Sequence, residues 1–371
     1  MRSAATVAIP RRVLGRTGLE VSVVGVGCWP IGGPDYNLGL PMGWSDVDEA
    51  AALAGLERAV GLGANLFDTA DVYGHGRSER LLGRLVAQVP RDAVVLTSKV
   101  GYFAGTAPHG YQPRHMRSQL GQSLDNLGTD HLDIYFLHHL DFGADDRYLD
   151  GAVEVMRGFK AQGLVRAIGM RGPHRFALDR LTTEPELRGD KIARFKALLD
   201  VVGPDVLAVR DNLLTPHGRS AGIFALADAH DCGVLVNKPL GQGLLTGSYQ
   251  PGRPRTFGPG DHRRRKRFFG PDAIAVIAGG IDRLRELVGS EPADLIRIAL
   301  WACLVRSPRA AVLVGFTHPD QVEVNLTCLG ERPDDAVIAG ARAIMAEVQA
   351  GLDADGQVFI DELAGGTGAR Q

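Results

Sequence analysis

Four polar side chains stand at or just beyond the ends of three short apolar runs of this chain, and their types are those of a proton-transfer site. NLFDTADVYG ends one run on Asp68 and carries Tyr73 five residues later, TSKVG ends the next on Lys99, and IYFLHHLD ends a third on His138. A carboxylate and an ammonium brought together neutralise each other's burial cost, which is a purely structural use of Asp68 and Lys99. Tyr73 shifts that balance. An ammonium beside a phenol favours the ionised form and draws its pKa down from about 10, so the tyrosine can give or take a proton. His138 then orients or polarises a substrate oxygen or passes the proton on, as general acid–base work on a carbonyl requires. Any one of these residues has a structural explanation. All four at the ends of three runs point to chemistry.

Something must bring those ends together. From about residue 20, short apolar or β-branched runs alternate with helical patterns, the signature of a parallel α/β fold. Eight candidate strands can be counted: Val23 to Gly27, Asn65 to Asp68, Val94 to Ser98, Leu132 to Leu137, Val165 to Gly169, Val206 to Val209, Val234 to Asn237 and Ala311 to Val314. Between them run amphipathic segments such as DVDEAAALAGLERAVGLG, stopped at Gly63, and RHMRSQLGQSLDNLG, stopped at Gly128. Eight strands each followed by a helix predict a closed (β/α)8 TIM barrel, whose chemistry lies at the C-terminal strand ends. The chain reads as one domain over 1–371, with its core at about 12–350 and a disordered tail after Leu363. Pro173 to Gly203, with its Thr-Thr-Glu-Pro break, reads as holding extra helical turns. Gly247 to Pro271, rich in Gly, Pro and Arg, reads as a long loop over the barrel mouth. Within it the run Arg263 to Arg267 reads first as a solvated loop surface. A second reading has it holding an anionic cofactor or substrate.

Composition narrows the classes. The 371 residues carry 41 basic and 43 acidic side chains, a formal charge of -2 that gives no pull toward nucleic acid or an anionic membrane. Four scattered cysteines, Cys28, Cys232, Cys303 and Cys328, are too few to staple such a chain and suit a reducing compartment. The N-terminus lacks the apolar segment of a signal peptide, and no apolar stretch is long enough to span a bilayer. A cytoplasmic protein is expected, without nucleic-acid or membrane partners and of undefined oligomeric state. The eleven histidines form no metal-binding pattern, and Gly25 with Gly27 is not a Rossmann fingerprint. Trp301 reads as core, whereas Trp44, Tyr36, Tyr102 and Phe103 fall in loops that can line a substrate pocket.

The ordered stretches LGRTGLEVSVVGVGCWPIGG, FDTADVYGHGRSERLLGRLV, SKVG, DIYFLHHLD, GLVRAIGM, KPLGQGLLTG and VLVGFTHPDQVEVNL resemble the aldo-keto reductase family from about residue 12 to 350. The resemblance implies a barrel, a nicotinamide cofactor bound without a Rossmann domain, and hydride transfer between a carbonyl (an aldehyde, ketone or sugar) and an alcohol. It makes Tyr73 the acid–base tyrosine, Lys99 its partner, Asp68 the carboxylate that orients Lys99, and His138 the residue that orients the carbonyl, with His139 a weaker candidate. Toward the cofactor it implies Gly27, Cys28 and Trp29 after the first strand and Asn212 near the sixth. Pro239, Leu240, Gln242 and Gly243 would meet the pyrophosphate, and Gly315, Thr317, Gln321 and Asn325 the adenosine-phosphate end. Small residues suit backbone N–H groups that must approach phosphate closely. NADP(H) is favoured over NAD(H), although the arginine many NADP-preferring members carry near Gln321 is absent.

Departures gather at the nicotinamide end. Arg171-Gly172 replaces the usual Ser-Asn, Ala208 a glutamine, Asn237 the stacking aromatic, and Val324 a glutamate. Arg171 either fills the lost carboxamide contacts, grips an anionic substrate, or pairs with Asp211. Two other functions remain open: a nucleotide-binding regulatory subunit with little turnover, as in the potassium-channel β subunits of the family, and redox-neutral isomerase, epimerase or lyase chemistry with a recycled cofactor.

Overall fold

The computed structural model of the chain describes residues 9–37, 39–173 and 191–354. An antiparallel hairpin comes first, β1 (Arg11–Val13) with β2 (Glu20–Ser22). Its Leu14, Leu19 and Val21 are buried in the same cluster as the side chains inside the barrel, so the hairpin floors the barrel. The barrel strands then follow in order: β3 (Val24–Gly27), β6 (Leu66–Asp68), β7 (Val95–Val100), β8 (Leu132–Leu137), β9 (Val165–Arg171), β10 (Val206–Arg210), β11 (Gly233–Asn237) and β12 (Ala310–Gly315). Every pairing is parallel, and β12 closes on β3 through Val312 opposite Val24 and Gly315 opposite Gly27. The eight expected strands are all present, their ends displaced by two residues at most.

Alternation along the strands explains the core. Leu66, Val95, Ile134, Phe136, Ala167, Val206, Ala208, Leu235, Ala311 and Leu313 fill the interior, while the opposite faces pack under the helices. Gly169 is needed for this filling, because a Cβ there would stand 2.2 Å from the Phe136 ring. The helices begin and stop as their sequences dictate. In α1 (Glu49–Gly61) the cap is Asp48, whose carboxylate accepts the Ala51 N–H. The next two are α2 (Arg77–Val86) and α3 (Pro113–Leu127), the latter with proline in its first turn and left-handed Gly128 at its end. They are followed by α4 (Leu149–Ala161), α5 (Lys191–Val202) and α6 (His217–Ala229).

Two features depart from the sequence reading. A small ribbon, β4 (Tyr36–Asn37) with β5 (Leu40–Pro41), stands in the loop after β3, too short to leave a periodic trace. Between β11 and β12 the chain makes two helices, α7 (Pro271–Val288) and α8 (Pro292–Leu304), before α9 (Pro319–Thr327) and α10 (Asp335–Ala354) complete the described chain. The 247–271 loop is tied to the first-strand loop by a bridge between Gly43 and Asp261, and the Asp261 carboxylate accepts the Ser45 N–H at 2.8 Å. The Arg263 to Arg267 run is not simply a solvated surface. Arg263 and Lys266 are buried, Arg265 is half-buried, and only Arg264 and Arg267 face solvent. Arg263 is drawn inward by Asp261 at 2.7 Å and by the Trp44 ring, whose centroid is 3.9 Å from its guanidinium carbon. Trp301 lies against the core, as expected. The Thr-Thr-Glu-Pro break and the tail after Leu363 lie outside the described residues. Among the described residues no helix is long and apolar enough to cross a membrane.

Candidate active site

Because β6, β7 and β8 are neighbours, their C-terminal ends bring three of the polar side chains together. Lys99 donates to Asp68 Oδ2 at 2.8 Å and to the Thr69 carbonyl at 2.5 Å, and Thr97 Oγ1 donates to Asp68 Oδ1 at 2.6 Å. Side-chain exposures of 3% and 8% make this a buried ion pair.

Tyr73 reaches the pair from the loop after β6. That loop is fixed at both ends: Tyr73 N donates to the Ala70 carbonyl at 3.1 Å, and Ser78 N to the Tyr73 carbonyl at 3.2 Å. Ser78, on α2, also shares a hydrogen bond with Thr69 Oγ1 and donates to the Cys28 carbonyl, while Glu79 accepts from Ser98 Oγ at 2.6 Å. Gly32 and left-handed Gly74 let the first-strand loop lie on this turn, since a Cβ at Gly74 would meet the Gly32 oxygen at 2.1 Å. The Lys99 ammonium is 4.9 Å from the Tyr73 ring centroid and contacts its hydroxyl. His138 follows β8, its N–H bonded to the Val100 carbonyl, with its ring 5.9 Å from Tyr73 and 4.6 Å from Tyr102.

The electrostatics refine the expectation for Tyr73. Burial raises its pKa and outweighs the downward pull of Lys99, with Asp68 adding to the rise and Arg171 opposing it, so the net shift is upward from 10. In the protein by itself, Tyr73 is therefore a neutral phenol poised to donate. For Lys99, burial works against the charge but Asp68 and Tyr73 more than restore it, and its pKa rises. His139 plays a different part: burial lowers its pKa to about 4, and Tyr111 Oη bonds both its backbone N–H and its carbonyl. It is a neutral core histidine.

The four residues open on a cavity of about 620 Å³. Gly27, Trp29, Arg171, Pro239, Leu240, Gln242, Gly243, Gly315, Thr317, Gln321 and Asn325 also line it, so most of the expected site converges. Cys28 and Asn212 do not line it. Cys28 is wholly buried, and Asn212 spends its amide on the Lys238 carbonyl at 3.0 Å and the Leu214 N–H at 2.9 Å. Trp44 and Tyr102 line the cavity, whereas Tyr36 is half exposed and braces Gly260, and Phe103 packs edge-on against His75. Asp211 is not the partner of Arg171: it is buried between Arg306 at 3.8 Å and Arg342 at 3.4 Å, because its strand end turns outward beneath α8 and α10. Sequence reasoning passed over Lys238 and His262 and weighed Lys266 only as part of the Arg263 to Arg267 run; all three line the same cavity. The signal for Lys238 was available, since VLVNK ends an apolar run on a lysine just as VVLTSK does.

A nicotinamide nucleotide fits this lining. Asn237 Oδ1 is buried without a hydrogen-bond partner among the described residues, an acceptor suited to a carboxamide N–H at the ring end. The turn after β11 holds Gln242 and Gly243 at φ 62° and 92°, which exposes backbone toward the cavity. At the far end, Gly315 leaves a cradle that a Cβ would close, 2.8 Å from Pro30 Cγ. Beside it Gln321 Oε1 accepts the Thr317 N–H at the start of α9, where an anion is favoured.

The model of the Aldo/keto reductase family matches residues 24–345. Among curated proteins, an NADH-specific methylglyoxal reductase of Escherichia coli (strain K12) is 28% identical over 336 residues, covering 87% of this chain and 94% of that protein. An L-galactose dehydrogenase of Arabidopsis thaliana is 28% identical over 337 residues, covering 87% and 89%. A solved glycerol dehydrogenase from Gluconobacter oxydans shares the fold, with a TM-score of 0.69 at 23% identity over 92% of this chain and 96% of its own.

Proposed function

The chain belongs to the aldo/keto reductase family, and from that premise we propose that it interconverts a small carbonyl compound or sugar and its alcohol with NAD(P)(H), using Tyr73 as general acid and base. The observation that carries this reading is the buried Asp68–Lys99 pair beneath Tyr73 at the floor of one cavity. A bound nicotinamide ring supplies or accepts the hydride at the reacting carbon. The chain handles the proton. In reduction, the neutral Tyr73 hydroxyl donates to the substrate oxygen, and Lys99, held charged by Asp68, stabilises the phenolate left behind. His138 orients the same oxygen toward Tyr73, and in oxidation the phenolate takes the proton back.

Gly315, Thr317, Gln321 and Asn325 would hold the adenosine end, and Pro239 to Gly243 the pyrophosphate. Gly27, Trp29, Asn237 and Arg171 would surround the ring. Trp44 and Tyr102 supply aromatic walls for the substrate. Thr317 and Gln321 support NADP(H), while Asp320, whose carboxylate stands at the same rim, disfavours a 2′-phosphate. The reading is therefore a site that takes NADP(H) ahead of NAD(H), but by no more than about tenfold in kcat/KM, about 1.4 kcal/mol. The four cysteines are free, which supports a cytoplasmic setting.

The test follows nicotinamide absorbance with purified protein over a panel of aldehydes and sugars, using NADPH and NADH. Net oxidation coupled to alcohol formation is expected. Tight nucleotide binding without turnover, or product without net cofactor change, would overturn the reading.

A further inference from the structure

The cavity is far more basic than the chain around it. Among the described residues, eight lysines and arginines line it against two aspartates, in a protein whose net charge is -2. Asp68 is committed to Lys99, and Asp320 stands beside His318 at 3.3 Å. Two of the cations are built in rather than left at the rim. Lys238 holds a left-handed backbone, φ 62°, unusual for a side chain of its size, and its carbonyl is clamped by Asn212 at 3.0 Å and by the Gly241 N–H at 2.9 Å. That conformation carries its ammonium to 5.0 Å from the Trp29 ring centroid. Lys266 is 8% exposed, with its N–H on the Arg263 carbonyl and its own carbonyl on the Phe269 N–H. The two side chains meet, and both are held well below the ordinary lysine pKa, Lys238 by burial and then Arg210 and Arg171, Lys266 by burial and then Lys238 and Arg210, a cost that a bound anion would relieve by favouring the charged forms.

The cluster lies toward the proton-transfer end. Trp29, under the Lys238 ammonium, has its ring 6.2 Å from that of Tyr73, and Arg171 acts on both Tyr73 and Lys238. Like charges gathered in a cleft at structural cost mark a place where an opposite charge binds. We propose that the cavity takes a carbonyl compound or alcohol bearing an anionic group, carboxylate or phosphate, held by Lys238 and Lys266 beside Tyr73. This rests on the oxidoreductase reading only in making Tyr73 the neighbour of the reacting oxygen.

Matched substrates test it: succinic semialdehyde against butanal, and glyceraldehyde 3-phosphate against glyceraldehyde, with wild type, Lys238→Met, Lys266→Met and Lys238→Arg. The anionic member of at least one pair should have the higher kcat/KM by about tenfold or more, and either methionine variant should collapse that ratio, with Lys238→Arg retaining it. The pair that responds identifies carboxylate or phosphate. Calorimetric titration of the full chain with succinate and with glycerol 3-phosphate gives a second readout that needs no turnover. Lysine-dependent anion binding without nicotinamide-dependent turnover would uphold this inference and sink the oxidoreductase reading. Equal treatment of both pairs with no anion binding would overturn the inference. So would variants that weaken NADPH binding by the same factor as anion binding, since the cations would then serve the nucleotide's phosphates.

Discussion

Replacing Lys99 with methionine keeps most of the side-chain volume and removes the ammonium from a site where the Asp68 side chain is 8% exposed. The Asp68 carboxylate would then keep Thr97 Oγ1, at 2.6 Å, as a side-chain donor but have no counter-charge from Lys99. Leaving one partner of a buried pair uncompensated costs about 3–5 kcal/mol. Neutralising both, in Asp68→Asn with Lys99→Met, removes the stranded charge and should restore about 2 kcal/mol or more relative to Lys99→Met alone. Activity should not follow stability. Without the ammonium, Arg171 alone is left to oppose burial at Tyr73, and the phenolate formed in reduction loses its buried counter-charge, so kcat should fall about 10²-fold or more in both variants. Urea unfolding read by tryptophan fluorescence, alongside carbonyl reduction with saturating nucleotide, separates the two effects. A cost below about 1 kcal/mol for Lys99→Met, or turnover recovered in the double variant, would refute the reasoning.

Other consequences are as direct. Since burial raises Tyr73 above 10, the proton donor is present throughout the neutral range; reduction should stay flat there and decline only in the alkaline region above 10, whereas oxidation, which needs the phenolate, should climb toward high pH. A decline in reduction centred near neutrality would contradict this. Asp71 is buried, and burial followed by Glu79 raises its pKa well above 3.8 against the weaker opposing pull of the Val72 N–H and Lys99. The folded state therefore binds this proton more tightly. Stability conferred by it is lost as pH rises through the raised pKa, by at most about 1.4 kcal/mol per pH unit. Asp71→Asn should flatten that slope in pH-dependent urea titrations, and an unchanged slope would count against it. Gly169→Ala should cost about 1–3 kcal/mol by driving a methyl group into the Phe136 ring. Adding Phe136→Leu should return part of that loss.

Much of the architecture was readable because barrel strands are apolar runs of fixed length, and each expected run became a strand. The proton-transfer residues were readable for a related reason: a polar residue that abruptly ends such a run has a fixed place at the mouth. Side chains whose position depends on long loops were not. The Arg263 to Arg267 run resembles any solvated basic surface until Asp261, pinned to Ser45, turns it inward. Asp211 follows the same logic in reverse, since nothing local announces Arg306 and Arg342, which come from about 95 and 131 residues away. The direction of the Tyr73 shift was also hidden, because charge partners can be guessed from strand ends while the depth of burial cannot.

The central claim is that Tyr73 moves the proton, and Tyr73→Phe tests it most directly. The phenyl ring preserves the packing against Trp29 and His138 and removes only the hydroxyl. Carbonyl reduction should be measured under single turnover, with nucleotide affinity measured separately by fluorescence titration. The account predicts a loss of about 10²–10⁴ in the rate with nucleotide affinity within about threefold of wild type. Reduction within about tenfold of wild type, or a loss explained entirely by weaker nucleotide binding, would contradict it.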